Sequence, residues 1–313
     1  MSWVTTFREY EPVYRRAPSA HNTQPWTLSY GRHEIVIGVD PARALPASDP
    51  SGRDLALGLG CFLETCLIVA AAAGLPVTCD RSDPRRLRLI PAPGPYLTSF
   101  TLDDITSRRV ARGPYSPGTI SPAFLAGLEP GVTHVPCRAL APDLAVADRW
   151  MFSTPSVTWE LRSWVRLDRR HPRYHLDGLT DRALALSLPS ARLLAAALHV
   201  PPAVRRLGVA ALLAFAGRGL LRHDGSVLVL TSRGAPVLAE GRRLMRTWLT
   251  LARHGLAVHP LSQLLDCPVT AARLTTRVGA TPLAVFRVGR PLTEPVRSAR
   301  LPATSVPGWV SGT

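Results

Sequence analysis

Lysine is missing altogether: all 37 basic residues of this 313-residue chain are arginine, set against 22 aspartates and glutamates. Side-chain amides are almost as scarce, with one asparagine, Asn22, and two glutamines, Gln24 and Gln263. The net charge of +15 invites a polyanion-binding reading, which a concentrated basic stripe would have to carry. The arginine pairs are scattered instead, at Arg15-Arg16, Arg85-Arg86, Arg169-Arg170, Arg205-Arg206 and Arg242-Arg243, and the absence of lysine reads as a compositional preference. Nucleic acid is therefore not expected as a partner. A docking role for Arg205, Arg206, Arg218 and Arg222 on nucleic acid or a membrane surface stays open as an alternative. The scarcity of amides points the other way: where they do occur, specific hydrogen bonding is expected, with turn formation the plain alternative for Asn22.

The five cysteines, Cys61, Cys66, Cys79, Cys137 and Cys267, are odd in number and form no CxxC pair. They read as reduced thiols, so a cytoplasmic location is expected. His171 and His175 are spaced i, i+4, but Pro172 between them breaks a helical metal face, and no metal is expected. The first residues lack an apolar h-region, so no secretory signal is expected. The apolar runs Cys61–Leu75 and Leu207–Leu221 are interrupted and shorter than the ~20 residues that span a bilayer, so neither is expected to cross one.

What is present is a repeat. His33–Val39 reads as a strand ending at the turn-prone Asp40-Pro41. Ser51 and Asp54 open a helix that runs to about Ala73, stopped by Gly74 and Pro76, and Val77 begins another strand. The order recurs in Ser226–Thr231, a helix from about Pro236 to His254, Gly255, and an extended Leu256–His259. The helices match position by position: Gly60 with Gly241, Leu63 with Leu244, Ala71 with Ala252, Gly74-Leu75 with Gly255-Leu256, and Val77 with Val258. Glycine within a helix costs about 1 kcal/mol relative to alanine, so Gly60 and Gly241 are expected to serve close packing. Residues 1–100 and 101–313 form the expected halves. The Pro- and Arg-rich Asp80–Pro95 ends the first module, and an insertion at about 150–223, long enough to cover a site, belongs to the second.

The stretch Ala17-Pro-Ser-Ala-His-Asn-Thr-Gln-Pro-Trp26 sets a hydroxyl, an imidazole and two amides between prolines that stiffen both ends. Such a loop suits a flat heterocycle carrying both donors and acceptors; a flavin and a nucleotide base would serve alike. Its Pro-Ser-x-x-Asn-x-Gln-Pro-Trp pattern strongly resembles the signature loop of the FMN-dependent nitroreductase superfamily, closest to the Acg-like branch of two fused halves. The resemblance gives Ser19, Asn22 and Gln24 the ring-contacting role. Ile105-Thr-Ser-Arg108-Arg109-Val-Ala-Arg112 is similar to the family's phosphate- and ribityl-gripping segment, with Val110 where serine is usual. Forked guanidinium donors at that spacing suit a dianion. Gly255–Gln263 resembles the segment passing flavin N5, which brings in Pro260, Ser262 and Gln263; Arg297-Ser-Ala-Arg300-Leu-Pro302 resembles the C-terminal phosphate closure, with Arg297 one place early.

The resemblance implies an α+β fold, nitroreductase-like, with two tandem halves, each a mainly antiparallel sheet flanked by helices, packed as an intramolecular pseudo-dimer. A monomer suffices, although a homodimer is compatible. It implies FMN as cofactor and one complete flavin site per chain, because the signature loop occurs once. The expected function is hydride transfer between NAD(P)H or an organic substrate and flavin N5, acting on a small molecule by nitro or quinone reduction or by dehydrogenation. The azoline-oxidising branch's Lys-Tyr pair has no lysine here to supply it. The alternative is a non-catalytic FMN-sequestering protein. No catalytic residue is assigned; His21, His259 and Tyr174 are the candidate proton donors.

Overall fold

In the computed structural model, described over residues 2–80 and 87–303, the chain is an α+β protein with two four-stranded antiparallel sheets. The short helices α1 (Trp3–Glu9) and α2 (Glu11–Tyr14) lead into the signature loop. Strands β1 (Trp26–Tyr30) and β2 (Ile35–Val39) form a hairpin. Helix α3 (Arg53–Ala72) follows, and then β3 (Val77–Asp80) and β4 (Leu87–Pro91). Helices α4 (Leu102–Ser107) and α5 (Pro122–Ala126) connect to β5 (Val132–Pro136). Next come α6 (Cys137–Ser153), α7 (Pro155–Trp164), the short parallel pair β6 (Val165–Arg166) and β7 (Leu179–Thr180), α8 (Leu188–His199), α9 (Pro202–Val204) and α10 (Ala210–Gly217). Strand β8 (Ser226–Thr231), helix α11 (Val237–Arg253), strand β9 (Ala257–Pro260), helices α12 (Gln263–Asp266) and α13 (Pro268–Val278), and strand β10 (Pro282–Gly289) complete the fold.

The two sheets share one plan. Their strand orders are β1-β2-β4-β3 and β5-β8-β10-β9, and in each a long helix joins the second strand to an edge strand. The second and third strands in chain order are β2 and β3 in one sheet, β8 and β9 in the other. The plans differ in one connection. The β1–β2 hairpin needs only residues 31–34, whereas β5 and β8 are separated by 137–225.

Helices α3 and α11 end alike, at Gly74 with φ +69° and Gly255 with φ +70°, a left-handed conformation that glycine adopts without a Cβ penalty. Where the helices cross, the two glycines face each other. A Cβ on Gly60 would stand 2.1 Å from the Leu238 carbonyl oxygen, and one on Gly241 would stand 2.3 Å from that of Leu57. Only glycine permits this approach. Around the crossing, Phe62, Ile68, Met245, Leu249 and Phe286 belong to one hydrophobic core that draws on both sheets. Fully burying each such side chain contributes about 1.5–3 kcal/mol.

Three segments bear on the sequence reading. The apolar run starting at Cys61 is part of a helix that begins at Arg53, so α3 has 20 residues and is long and apolar enough by composition to cross a membrane. Its apolar window is 72% buried against the rest of the protein, which is how a core helix satisfies the same test. Asp80–Pro95 supplies β4, hydrogen-bonded between β2 and β3 and the last strand of the first sheet in chain order; residues 81–86, with the Arg85-Arg86 pair, lie outside the described residues. The hairpin strand β1 and the edge strand β5 were not expected.

Candidate functional site

The signature loop is held in an unusual conformation. His21, Asn22 and Gln24 all have positive φ (46°, 55° and 52°), a left-handed region that non-glycine residues seldom occupy and that concentrates at functional sites. Local bonds fix it: the Gln24 N–H donates to Ser19 Oγ at 2.9 Å. Long-range bonds fix it more firmly. Gln24 Nε2 donates to the Leu176 carbonyl at 2.9 Å, and Gln24 Oε1 accepts from the Leu301 N–H at 2.8 Å. Asn22 Nδ2 donates to the Ala299 and Gly178 carbonyls at 3.1 and 3.3 Å, and its Oδ1 accepts from Arg300 at 2.8 Å. The loop is thus tied to both the β6–β7 region and the C-terminal strap.

Beside it lies a cavity of about 330 Å³, within the ordinary range for a small-molecule or cofactor site. Its inner wall is α3 (Leu57, Gly58, Cys61) and α11 (Leu244, Trp248), the two helices locked by the glycine crossing. Ser19, Asn22, Arg108, Arg109, Arg112, Pro260, Ser262, Gln263 and Arg300 all line it. Two expected residues do not. Gln24 is fully buried behind the loop, both ends of its amide engaged as described, and Arg297 is exposed and donates to the Thr106 carbonyl at 2.7 Å. Gln263 reaches the cavity but gives its side-chain N–H to Asp148 at 3.2 Å.

The electrostatics of one side are unbalanced. Arg16, Arg108 and Arg300 converge there, with Arg112 on the same cavity. Part of each guanidinium is engaged by backbone carbonyls: Arg16 with Ser298 at 3.1 Å, Arg108 with Arg16 at 2.8 Å, Arg112 with Ala183 at 3.1 Å, and Arg300 with Arg15, Arg16 and Ala17 at 2.6, 2.9 and 3.0 Å. Burial pulls Arg16, Arg108 and Arg112 down to about 10, and holds Arg300 well below the usual range with Arg16, Arg108 and Arg297 adding to the effect. None of the four makes an ion pair with a carboxylate among the described residues. Arginine stays charged at neutral pH regardless, so the cluster carries an uncompensated charge that an anion would relieve. Arg108 Nε is buried without a hydrogen-bond partner, and its guanidinium lies 5.8 Å from the Trp248 ring centroid.

The candidate proton donors separate. His21 lines the cavity with its Nδ1 buried and unpartnered, and burial lowers its pKa. His259 also lines it, driven well down by burial and by Arg112 and Arg287. Both imidazoles are neutral near pH 7. Tyr174 gives its hydroxyl to Asp181 at 2.5 Å and does not reach the cavity. Sequence reasoning overlooked Asp266, whose carboxyl burial and the neighbouring Asp54 push up against the opposing pull of Arg53 at 2.7 Å. It also passed over Arg16, whose adjacency to the signature loop was the available signal.

The outer wall is apolar and comes from the β5–β8 connection, with Trp150, Met151, Phe152, Leu161, Leu179 and Leu194 among its side chains. A second cavity of about 150 Å³ sits across the helix crossing. Six of its seven lining residues stand 181 positions from a residue lining the large one, the separation of Gly60 from Gly241. Leu63 and Leu67 answer to Leu244 and Trp248, Thr78 and Cys79 to His259 and Pro260, Ala239 and Arg242 to Gly58 and Cys61. The seventh, Tyr96, donates to Glu64 at 2.6 Å, and that fully buried carboxylate also meets Arg242 at 2.7 Å and Arg246 at 3.4 Å.

No protein-family profile matches the chain. It is 36% identical over 109 residues to a Mycobacterium tuberculosis protein named "Putative NAD(P)H nitroreductase acg", a match covering 32% of this chain and 33% of that protein. It is 37% identical over 71 residues to "Putative NAD(P)H nitroreductase Rv3131" of the same organism, covering 22% of this chain and 21% of that protein. The matched segments span a third or less of either relative.

Proposed function

We propose that this relative of the Acg-type nitroreductases holds one FMN in the large cavity and works as an NAD(P)H-dependent oxidoreductase on a small molecule. The observation that carries the reading is the arginine cluster without acidic partners, which lines the same cavity as the Asn22 loop and is joined to it by the Arg300–Asn22 hydrogen bond at 2.8 Å. Arg108, Arg112, Arg300 and Arg16 would hold the phosphate, charge-assisted donors being the strong ones. Ser19 would meet the ring's polar edge, Asn22, its amide held by Gly178, Ala299 and Arg300, would form the wall beside it, and the Pro260–Gln263 segment and the Trp248 side would border the ring. When bound, the flavin supplies two-electron hydride chemistry, and the protein supplies position and electrostatics.

The chain's own contributions follow from the site. The apolar wall from 150 to 194 excludes water and favours a hydrophobic acceptor such as a quinone or nitroaromatic. The neutral His21 and His259 can donate one hydrogen bond each without adding charge beside the arginines. Asp266 lines the cavity beside Arg53 at 2.7 Å, where a carboxyl with its pKa raised by burial is placed to exchange a proton with substrate.

The two halves, in this reading, form a pseudo-dimer within one chain, consistent with the shared sheet plan and the glycine crossing. The smaller cavity is then the counterpart of the flavin site, bordered by Arg242 and Tyr96, both bonded to the buried Glu64, and lacking an amide-bearing loop. One flavin per chain is expected. A second reading, FMN sequestration without turnover, draws on the apolar outer wall that covers the cavity.

Purified protein tests these readings together. Oxidised-flavin absorbance, FMN released on denaturation at close to one per chain, and NAD(P)H oxidation with menadione support the enzyme. Bound flavin that small donors cannot reduce supports sequestration. Protein that takes up no FMN from excess overturns both.

A further inference from the structure

Helix α10 has the sequence Ala-Ala-Leu-Leu-Ala-Phe-Ala-Gly, with no polar side chain in any of its eight residues. One side is accounted for: Ala210 and Ala214 are buried, and Leu213 packs onto a cluster of Phe152, Leu161 and Leu198. The other side is exposed yet equally apolar, with Leu212 61% and Phe215 53% accessible between Ala211 and Ala216. Leu207, just ahead of the helix, is 86% accessible, and Val204 and Leu193 of α8 extend the exposed apolar surface. A helix that is apolar all round is normally covered on every side, and exposed patches of this kind mark docking sites.

Charge identifies what covers it. From Arg182 to His223 the chain has six arginines and no aspartate or glutamate. Arg192, Arg218 and Arg222 are exposed, and the Arg218 guanidinium lies over the Phe215 ring at 3.2 Å from its centroid, so cation and apolar surface adjoin. A second copy of this chain would set acid-free cationic segments against each other. A nucleic acid would meet leucine and phenylalanine as the most prominent side chains. A lipid surface with anionic headgroups suits both features, acyl chains receiving Leu207, Leu212 and Phe215 while phosphates receive the arginines.

We propose that the 188–222 segment docks the protein onto an anionic membrane surface, lying in the interface rather than spanning it. The inference does not depend on flavin binding. The full chain is sedimented with phosphatidylcholine vesicles, with and without phosphatidylglycerol. Binding to the anionic vesicles should be stronger by about tenfold or more and weaken with salt. A variant combining L207E, L212E and F215E should lose about tenfold or more while melting like the wild type, since all three side chains are more than half exposed. R218Q with R222Q should lower the anionic preference and leave the melt unchanged. Equal binding to both vesicles, no binding to either, or retention by the glutamate variant overturns the proposal. So does a lipid-free dimer that the glutamate variant converts to monomer, since a second copy would then cover the face. A duplex DNA affinity exceeding that for vesicles and indifferent to Leu207, Leu212 and Phe215 overturns it as well.

Discussion

Alanine placed at two glycines of one helix should have opposite consequences, and the contrast isolates the helix crossing. At Gly60 an added Cβ would fall 2.1 Å from the Leu238 carbonyl oxygen and 2.7 Å from Gly241 Cα, both backbone atoms that cannot swing aside. Ordinary carbon–oxygen contacts lie near ~3.4 Å, so α3 and α11 would have to part by about an ångström. Overpacking of this sort costs about 1–3 kcal/mol, and the gain in helix propensity returns about 1 kcal/mol. At Gly58, two residues earlier in the same helix, the nearest atom is the Pro18 carbonyl oxygen at 3.8 Å, an ordinary contact. Gly58→Ala should therefore keep the propensity gain and stand level with the wild type or above it. The two variants should differ by about 2 kcal/mol, or roughly 3 °C in melting temperature for a chain of 313 residues. Thermal unfolding without added ligand, followed by circular dichroism, reads the difference. If Gly60→Ala melts with Gly58→Ala, the helices do not meet at backbone distance and the account of the crossing is wrong.

Arg108→Ala should weaken FMN binding roughly 10- to 100-fold, the value of one charge-assisted hydrogen bond, whereas Arg297→Ala, outside the cavity, should change it little; fluorescence-quenching titration of apoprotein separates them. Arg242→Ala leaves the buried Glu64 with the Tyr96 hydroxyl at 2.6 Å and Arg246 at 3.4 Å, and unfolding should register a loss of about 3 kcal/mol, the lower part of the range for breaking a buried pair. Burial pushes the Asp148 carboxyl from its usual 3.8 up to about 6 against the hydrogen bond from Gln263. The folded chain thus binds this proton more tightly than the unfolded one, so the group's contribution to stability is present below the unfolded value and is lost as pH rises toward about 6. Asp148→Asn should accordingly be more stabilising relative to wild type at about pH 8 than at about pH 4, as read from melting temperatures; an equal effect at both would contradict the burial argument.

The sequence made the repeat legible because its carriers are local. Period and stop signals place β2, α3, β3, β8, α11 and β9 close to where they lie, and matched glycines announce the crossing. Strand β5 escaped because it is a short edge strand with a histidine inside it and a proline at its end, and α6 because Pro142 stands inside a helix of 17 residues. At the site, the residues that line the cavity were readable through a motif, but their partners were not. Gln24 has the same chemistry as a ring-contacting amide; only the fold shows it strapped to Leu301, 277 positions away. Arg297 and Arg300 look interchangeable in one dimension, yet one faces outward and the other reaches Asn22. Asp266 carried no pattern at all, since its raised pKa comes from burial beside Asp54.

A symmetric homodimer must accept every substitution twice, once in each of its equivalent pockets. Here the answering positions carry different residues: cysteine at 61 against arginine at 242, glutamate at 64 against methionine at 245. An arginine at position 61 would intrude on the large cavity, and a cysteine at 242 would take from the buried Glu64 its nearer cation. On the proposed pseudo-dimer reading, joining the halves in one polypeptide would release each wall from copying the other, so that one side could be shaped for chemistry while its counterpart is given over to holding the molecule together.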